Sequence, residues 1–137
     1  MNTVVTSGYN PALPLAGRLL MSAIFLVAGI RKVLGFAGTV AYFAKLGFPA
    51  PEAVTVIAII IELTGSILLI LGWKTRYAAW LLALFVLVAT LMAHRFWEFD
   101  AAQYGNQLNH FLKNLAIIGG LMFVASFGPG SASVEKR

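Results

Sequence analysis

The sequence predicts an all-α integral membrane protein, a four-helix transmembrane bundle with a short interfacial helix between spans one and two. Three observations carry that prediction. Hydrophobic residues fill 60% of the 137 positions and charged residues only 11%, against the roughly 25% that solvates a soluble domain. Mean hydropathy is +0.86. The apolar residues also gather into four stretches of about 20, the length that crosses a hydrocarbon layer about 30 Å thick. One domain is expected at this length, with an N-terminal tail at 1–14, a transmembrane region at 15–127 and a C-terminal tail at 128–137.

The four spans fall near residues 15–34, 53–72, 77–96 and 107–127. Pro14, Pro51 and Pro129 punctuate helix ends, where a missing N–H costs least. No Lys or Arg precedes Arg18, and the apolar run after it is too long for a cleaved signal, so the first span is read as retained. The link "GWKTR" is a tight turn that makes spans two and three antiparallel neighbours. The link at 35–52 is longer and patterned: Phe36, Val40, Phe43 and Leu46 recur at helical spacing before Gly47, which predicts an amphipathic helix in the membrane interface.

Four spans put both termini on one side. That side carries Arg18, Lys74, Arg76, Lys136 and Arg137; the other carries Arg31, Lys32, Lys45 and Arg95, diluted by Glu52, Glu98 and Asp100. The basic counts are nearly balanced, and they tip toward cytoplasmic termini once Lys32 turns inward. Trp73, Tyr77 and Trp80 on one side, with Trp97 and Tyr104 on the other, fit the aromatic belts of a bilayer.

The net charge of +5 does not indicate a nucleic-acid partner, because the Lys and Arg are scattered and several flank apolar spans. There is no cysteine, which removes disulfides, thiol redox chemistry, cysteine-ligated clusters and the common zinc sites. No intrinsic cofactor and no metal site are expected, and a redox role would need a borrowed electron carrier.

The informative residues are the polar ones inside the spans. Arg18, Ser22, Phe25, Gly29 and Lys32 step by four, three, four and three along the first span, a face turned toward other helices. Glu62 stands alone near mid-depth of the second, with Ser66 one turn on, and Thr90 and His94 lie one turn apart in the third. In "NQLNHFLKNLAIIGG", His110, Lys113 and Asn114 share one face of the fourth span, and Asn106 continues it one turn earlier. Chain direction brings Lys32, His94, His110, Lys113 and Asn114 toward one membrane face. Glu62 sits deeper, and Lys113 enters about 9 Å if its helix starts near Gln107. Intramembrane ionisable groups usually pair or line a wet cavity, so one shared pocket with a Glu62–Lys113 contact is predicted.

Blander readings stand beside that one. Lys32 and Lys113 reach the interface by snorkelling, His94 is an interfacial histidine, and a Glu62–Lys113 pair fixes helix register without any ligand. Two histidines on adjacent spans also admit haem ligation, a weak signal without a further motif. The sequence has no Gly-rich phosphate loop, no nucleophile elbow and no HExxH. No internal repeat supports an inverted-repeat transporter.

Four segments in order, "GRLLMSAIFLVAGIRKVLGFAGTVAYFAKLGFPAP", "IELTGSILLILGWKTRYAA", "LVATLMAHRFW" and "NHFLKNLAIIGGLMF…GPG", resemble the DoxX family of small bacterial membrane proteins over residues 17–130. The resemblance implies a four-helix bundle in the inner membrane. It also implies redox company, since family members include the small subunit of a thiosulfate:quinone oxidoreductase and oxidoreductases linked to quinone stress. The family's shared polar positions correspond to Arg18, Lys32, Glu62, Arg76, His94, Lys113 and Asn114.

The expected function is a quinone-linked oxidoreductase component with a buried polar pocket. Glu62, Lys113 and His94 are the candidate catalytic groups; Lys32, His110 and Asn114 are the candidate ligand-binding ones. Lysines and histidine would hydrogen-bond or protonate a ring oxygen, and Glu62 would hold or relay a proton. Arg18 and Arg76 are read as topology or headgroup anchors. A small anionic substrate would use the same lysines as a clamp. Expected partners are the lipid bilayer, a quinone or small anion, a soluble redox partner and further copies of the chain. The competing reading is a non-catalytic assembly subunit that docks a partner on "RFWEFDAAQYG"; a small-molecule transporter is a third.

Overall fold

The computed structural model describes residues 8 and 10–135. Lys136 and Arg137, counted above for topology, and most of the N-terminal tail lie outside the described residues. Five α-helices follow one another: α1 (Ala12–Leu34), α2 (Phe36–Lys45), α3 (Pro51–Leu71), α4 (Thr75–Ala93) and α5 (Ala101–Phe127), with a 3-10 turn at Phe96–Glu98 before α5. No strand occurs among the described residues. Helices α1, α3, α4 (with the 3-10 turn) and α5 are each long and apolar enough to cross a membrane.

The four spans form a ring in which α1 packs on α3, α3 on α4 and α4 on α5, while α5 meets α1 only lightly. The stripe read on the first span is the face it buries, because Arg18, Ser22, Phe25 and Gly29 are its buried residues. Across the ring Leu69, Leu82, Val86 and Leu121 fill the core with Phe25 and the alanines of α4. Lipid provides no hydrophobic drive between helices, so close van der Waals approach must hold them. Gly29 permits it: a Cβ there would lie 2.6 Å from the Leu63 side chain.

The interfacial segment is a helix as predicted, and it ends just before Gly47. It packs over α3 and the end of α1. Two boundaries differ from expectation. Helix α1 starts at Ala12, with Pro14 inside its first turn. Helix α5 starts at Ala101 rather than Gln107, because the Asp100 carboxylate accepts the Gln103 N–H and caps it. At 27 residues α5 is about 40 Å long, more than the hydrocarbon core needs, and its polar first turns were read from sequence as loop. The proposed docking loop is therefore mostly helix. Phe96 packs edge-on against Trp97, Tyr104 and Phe111, with ring centroids 5.1, 5.5 and 5.2 Å away.

The C-terminal segment folds back on the bundle. Val134 and Glu135 donate their N–H groups to the carbonyls of Leu71 and Gly72, at 2.9 and 3.0 Å, and Pro129 and Gly130 are buried. Gly72 ends α3 at φ +66°, where a Cβ would lie 2.5 Å from the Arg18 guanidinium and from Ser133. A side chain at that position is excluded twice, by its backbone angle and by space.

Candidate functional site

The best-defined polar feature inside the spans is an ion pair between α1 and α3. Lys32 Nζ donates to both carboxylate oxygens of Glu62, at 3.0 and 2.9 Å, and the two side chains are 21% and 5% exposed. The glycine step at position 29 sets it up. With α1 pressed against α3 at the level of Glu62, the lysine one turn further along α1 reaches the carboxylate directly.

This overturns the expected Glu62–Lys113 contact. Helix α5 packs on α4 and lightly on α1, and its backbone approaches that of neither α2 nor α3 among the described residues. Lys113 is exposed, and its Nζ lies 3.4 Å from His110 Nδ1. Sequence depth gave the right membrane face for Lys113 but not its direction around the helix.

The Lys32–Glu62 pair forms part of the wall of a cleft of about 750 Å³. Its floor is α3, and it is flanked by α2 and α4, whose backbones do not approach each other among the described residues. The cleft is therefore open sideways. Its polar lining comprises Arg31, Lys32, Thr39, Tyr42, Glu62 and His94, and the rest is apolar. Burial pushes the Tyr42 phenol above its ordinary value, so this side chain stays a neutral hydroxyl. Thr39 and Tyr42 escaped the sequence reading because α2 was treated as an interface element rather than as a wall. Their spacing of three on a helix followed by the glycine stop was the available signal.

His94 lies at the outer end of the cleft and joins it to a second polar group, the seam between α4 and α5. Its Nδ1 is 2.8 Å from Gln107 Oε1. A carbonyl oxygen only accepts, so Nδ1 carries the hydrogen and, in the neutral ring, Nε2 is the acceptor. The ring stacks on His110, with centroids 4.8 Å apart and planes at 19°. One turn deeper Asn114 Nδ2 donates to Thr90 Oγ1 at 2.9 Å, and the Thr90 hydroxyl donates to the Val86 carbonyl at 2.6 Å. A face-to-face stack is not the arrangement in which two imidazoles point their nitrogens at one iron, so the geometry does not favour haem ligation. Gln107, read from sequence only as part of a polar run, is the hydrogen-bond partner of the histidine's Nδ1.

The single pocket expected from the sequence is thus two groups. Lys32, Glu62 and His94 line the cleft; His110, Lys113 and Asn114 do not, and sit in or beside the α4–α5 seam. The physical cause is the ring order of the helices, which sets α5 on the far side of α4 from α2 and α3.

The opposite membrane end also corrects the sequence reading. Arg18 is not a headgroup anchor: it is buried, and its guanidinium donates to the carbonyls of Leu69, at 2.8 Å, of Ile70, at 3.1 Å, and of Ala132. Arg76 donates to the carbonyls of Ala125 and Ser126, at 2.8 and 2.7 Å. Each arginine places its charge on the C-terminal carbonyls of a span, α3 and α5 respectively, where the helix dipole favours a cation.

Known proteins bear out the family resemblance. The sequence model of the DoxX family matches residues 13–95. That range includes Arg18, Lys32, Glu62, Arg76 and His94 and stops short of α5. Inner membrane protein YphA of Escherichia coli is 35% identical over 128 residues, covering 93% of this chain and 91% of the relative. Inner membrane protein YqjF of the same organism is 34% identical over 122 residues, covering 89% and 88%. A shorter similarity, 35% over 74 residues and 54% of each chain, is to the "Putative oxidoreductase CatD" of Bacillus subtilis. No solved structure matches the chain. With the family match spanning over half of the residues and two relatives similar along nearly their whole length, this multi-pass membrane protein belongs to the DoxX family.

Proposed function

We propose that the chain is a quinone-linked oxidoreductase component of the bacterial inner membrane, holding the ring of a quinone-like molecule in the cleft flanked by α2 and α4. The observation that carries the reading is the Lys32–Glu62 pair in the cleft wall. An ionised pair inside a span is expensive and is usually retained for a ligand or proton path. Lys32 donates to a ring oxygen, His94 accepts at Nε2 from the hydroxyl of a reduced ring or, once protonated there, donates to a ring oxygen, and Glu62 takes up the lysine's charge or relays a proton. His110, Lys113 and Asn114 stand behind His94 rather than against the ring. Electrons come from a soluble redox partner or a diffusible donor, since the chain has no cysteine to carry them. The oxidoreductase name of CatD supports the same direction.

Thermal unfolding in detergent, with and without a soluble quinone, tests this. Saturating the wild type at about 100 times Kd stabilises it by about 2.7 kcal/mol, visible as a raised midpoint. Glu62→Gln and Lys32→Met lose that rise, while Lys113→Met keeps it. A wild type that does not respond, or a rise equal in all four proteins, rejects the reading.

Both termini are assigned to the cytoplasm. Lys32 is spent in the cleft wall, which leaves Arg31, Lys45 and Arg95 on the far side against Lys74, Arg76, Lys136 and Arg137 on the side of the termini. A green fluorescent protein fused to the C-terminus is expected to fluoresce. An active alkaline phosphatase at the same position places that end in the periplasm and reverses the assignment.

A further inference from the structure

Most of the hydrogen-bonding capacity in the cleft is already committed. Lys32 Nζ directs two of its three hydrogens at the Glu62 carboxylate, and Glu62 only accepts. The Thr39 hydroxyl donates to the Gly35 carbonyl at 3.1 Å. His94 spends its Nδ1 hydrogen on Gln107 and keeps, in the neutral ring, only an acceptor. Arg31 lies exposed in the last turn of α1, where long cationic side chains reach the headgroups. The neutral donor left over is the Tyr42 hydroxyl, which lines the cleft and forms no hydrogen bond among the described residues. The fold does not need this oxygen. Helix α2 has no fully buried residue, and the Tyr42 ring leans on Phe43 at 5.9 Å, a contact that a phenylalanine would keep. Nor is the hydroxyl simply solvated, since burial holds the phenol above its ordinary value.

We infer that Tyr42 is a specificity-determining residue of the cleft: its hydroxyl binds the second oxygen of a ring whose first oxygen takes the remaining Lys32 hydrogen. The inference rests on the quinone reading above and adds to it a contact that the ion pair cannot supply. The two donors come from different walls, Lys32 from α1 and Tyr42 from α2, so they meet different atoms of one ligand. A ring with two opposed oxygens satisfies both; a ligand with a single acceptor leaves one donor unmet. A phenol also suits the task chemically. Its hydroxyl both donates and accepts, so it holds a carbonyl by donating and the hydroxyl of a reduced ring by accepting. Tyr42 thereby keeps the ring in place in either redox state and exchanges no proton itself.

The test measures binding to the purified protein in detergent with two soluble probes. One is a naphthoquinone, with two opposed carbonyls; the other is tetralone, which keeps the bicyclic frame and one carbonyl. The lone carbonyl of tetralone goes to the charged donor, the stronger of the two. Tyr42→Phe is expected to weaken naphthoquinone binding about fivefold, the worth of one neutral hydrogen bond, and to leave tetralone unchanged. Without ligand its midpoint of thermal unfolding stays at that of the wild type. Tyr77→Phe, at an α4 position 76% exposed and outside the cleft, changes neither affinity. Wild-type affinity for naphthoquinone in Tyr42→Phe overturns the tyrosine contact and leaves the quinone reading intact. Equal weakening of both probes overturns the contact too, since the loss is then not that of a second oxygen. A lowered midpoint in ligand-free Tyr42→Phe does the same, by showing that the hydroxyl is used within the fold. If the wild type does not bind naphthoquinone at all, the quinone reading fails and the contact with it.

Discussion

Replacing Lys32 with methionine lowers the stability of the detergent-purified protein by about 3 kcal/mol, the low end of what removing one member of a buried ion pair costs. The low end applies because Lys32 is only part-buried, whereas Glu62 is nearly fully buried. Most of the loss comes from the carboxylate left behind in an apolar wall, not from the attraction forgone. The double variant Lys32→Met with Glu62→Gln is therefore expected to recover much of the loss, since the amide removes the unpaired charge. Thermal unfolding of the wild type, both single variants and the double variant forms a cycle that isolates the coupling. If Lys32→Met is as stable as wild type, or the double variant is simply the sum of the singles, the ion pair contributes nothing to the α1–α3 contact.

The second large effect is at the other membrane end. Arg18→Met removes the donors to the carbonyls of Leu69, Ile70 and Ala132. Hydrogen bonds from charged donors contribute about 1.5–3 kcal/mol each, and these share one side chain, so a combined loss of about 3–5 kcal/mol is expected rather than the full sum. The variant also releases the C-terminal strap. Protection of the Val134 and Glu135 amides against hydrogen exchange, which depends on their bonds to Leu71 and Gly72, falls toward that of free chain. Arg18→Lys recovers only part of both, because an ammonium lacks the planar fork that bonds Leu69 and Ile70 through one nitrogen and Ala132 through the other. Unchanged exchange at Val134 and Glu135 in Arg18→Met shows that the tail is held without the guanidinium.

These two sites differ in how far the sequence disclosed them. Helix periodicity placed Arg18, Ser22, Phe25 and Gly29 on one inward face, and the structure buries all four. The same reading took Arg18 for a headgroup anchor, because an arginine near a span end normally reaches outward. Its actual partners are 51, 52 and 114 residues away, and no local pattern encodes a contact at that separation. Glu62 was conspicuous for a different reason. A short carboxylate at mid-depth has no route to water, so it had to be either protonated or paired, and the sequence offered two lysines at suitable depth.

Sequence by itself determined what the bilayer imposes. Four apolar stretches of spanning length, the glycine stop after a patterned link, and the need for buried charges to be matched follow from local composition and helical period, which act over a few turns. The tertiary structure alone decided which lysine meets Glu62 and which polar residues share a cavity. Depth along a span is fixed by counting residues, but direction around the ring depends on which helices are neighbours. Here the close approach of α1 to α3 at Gly29 and the position of α5 behind α4 gave Glu62 to Lys32. The same order left Lys113 on the outside and divided one expected pocket into a cleft and a seam joined at His94.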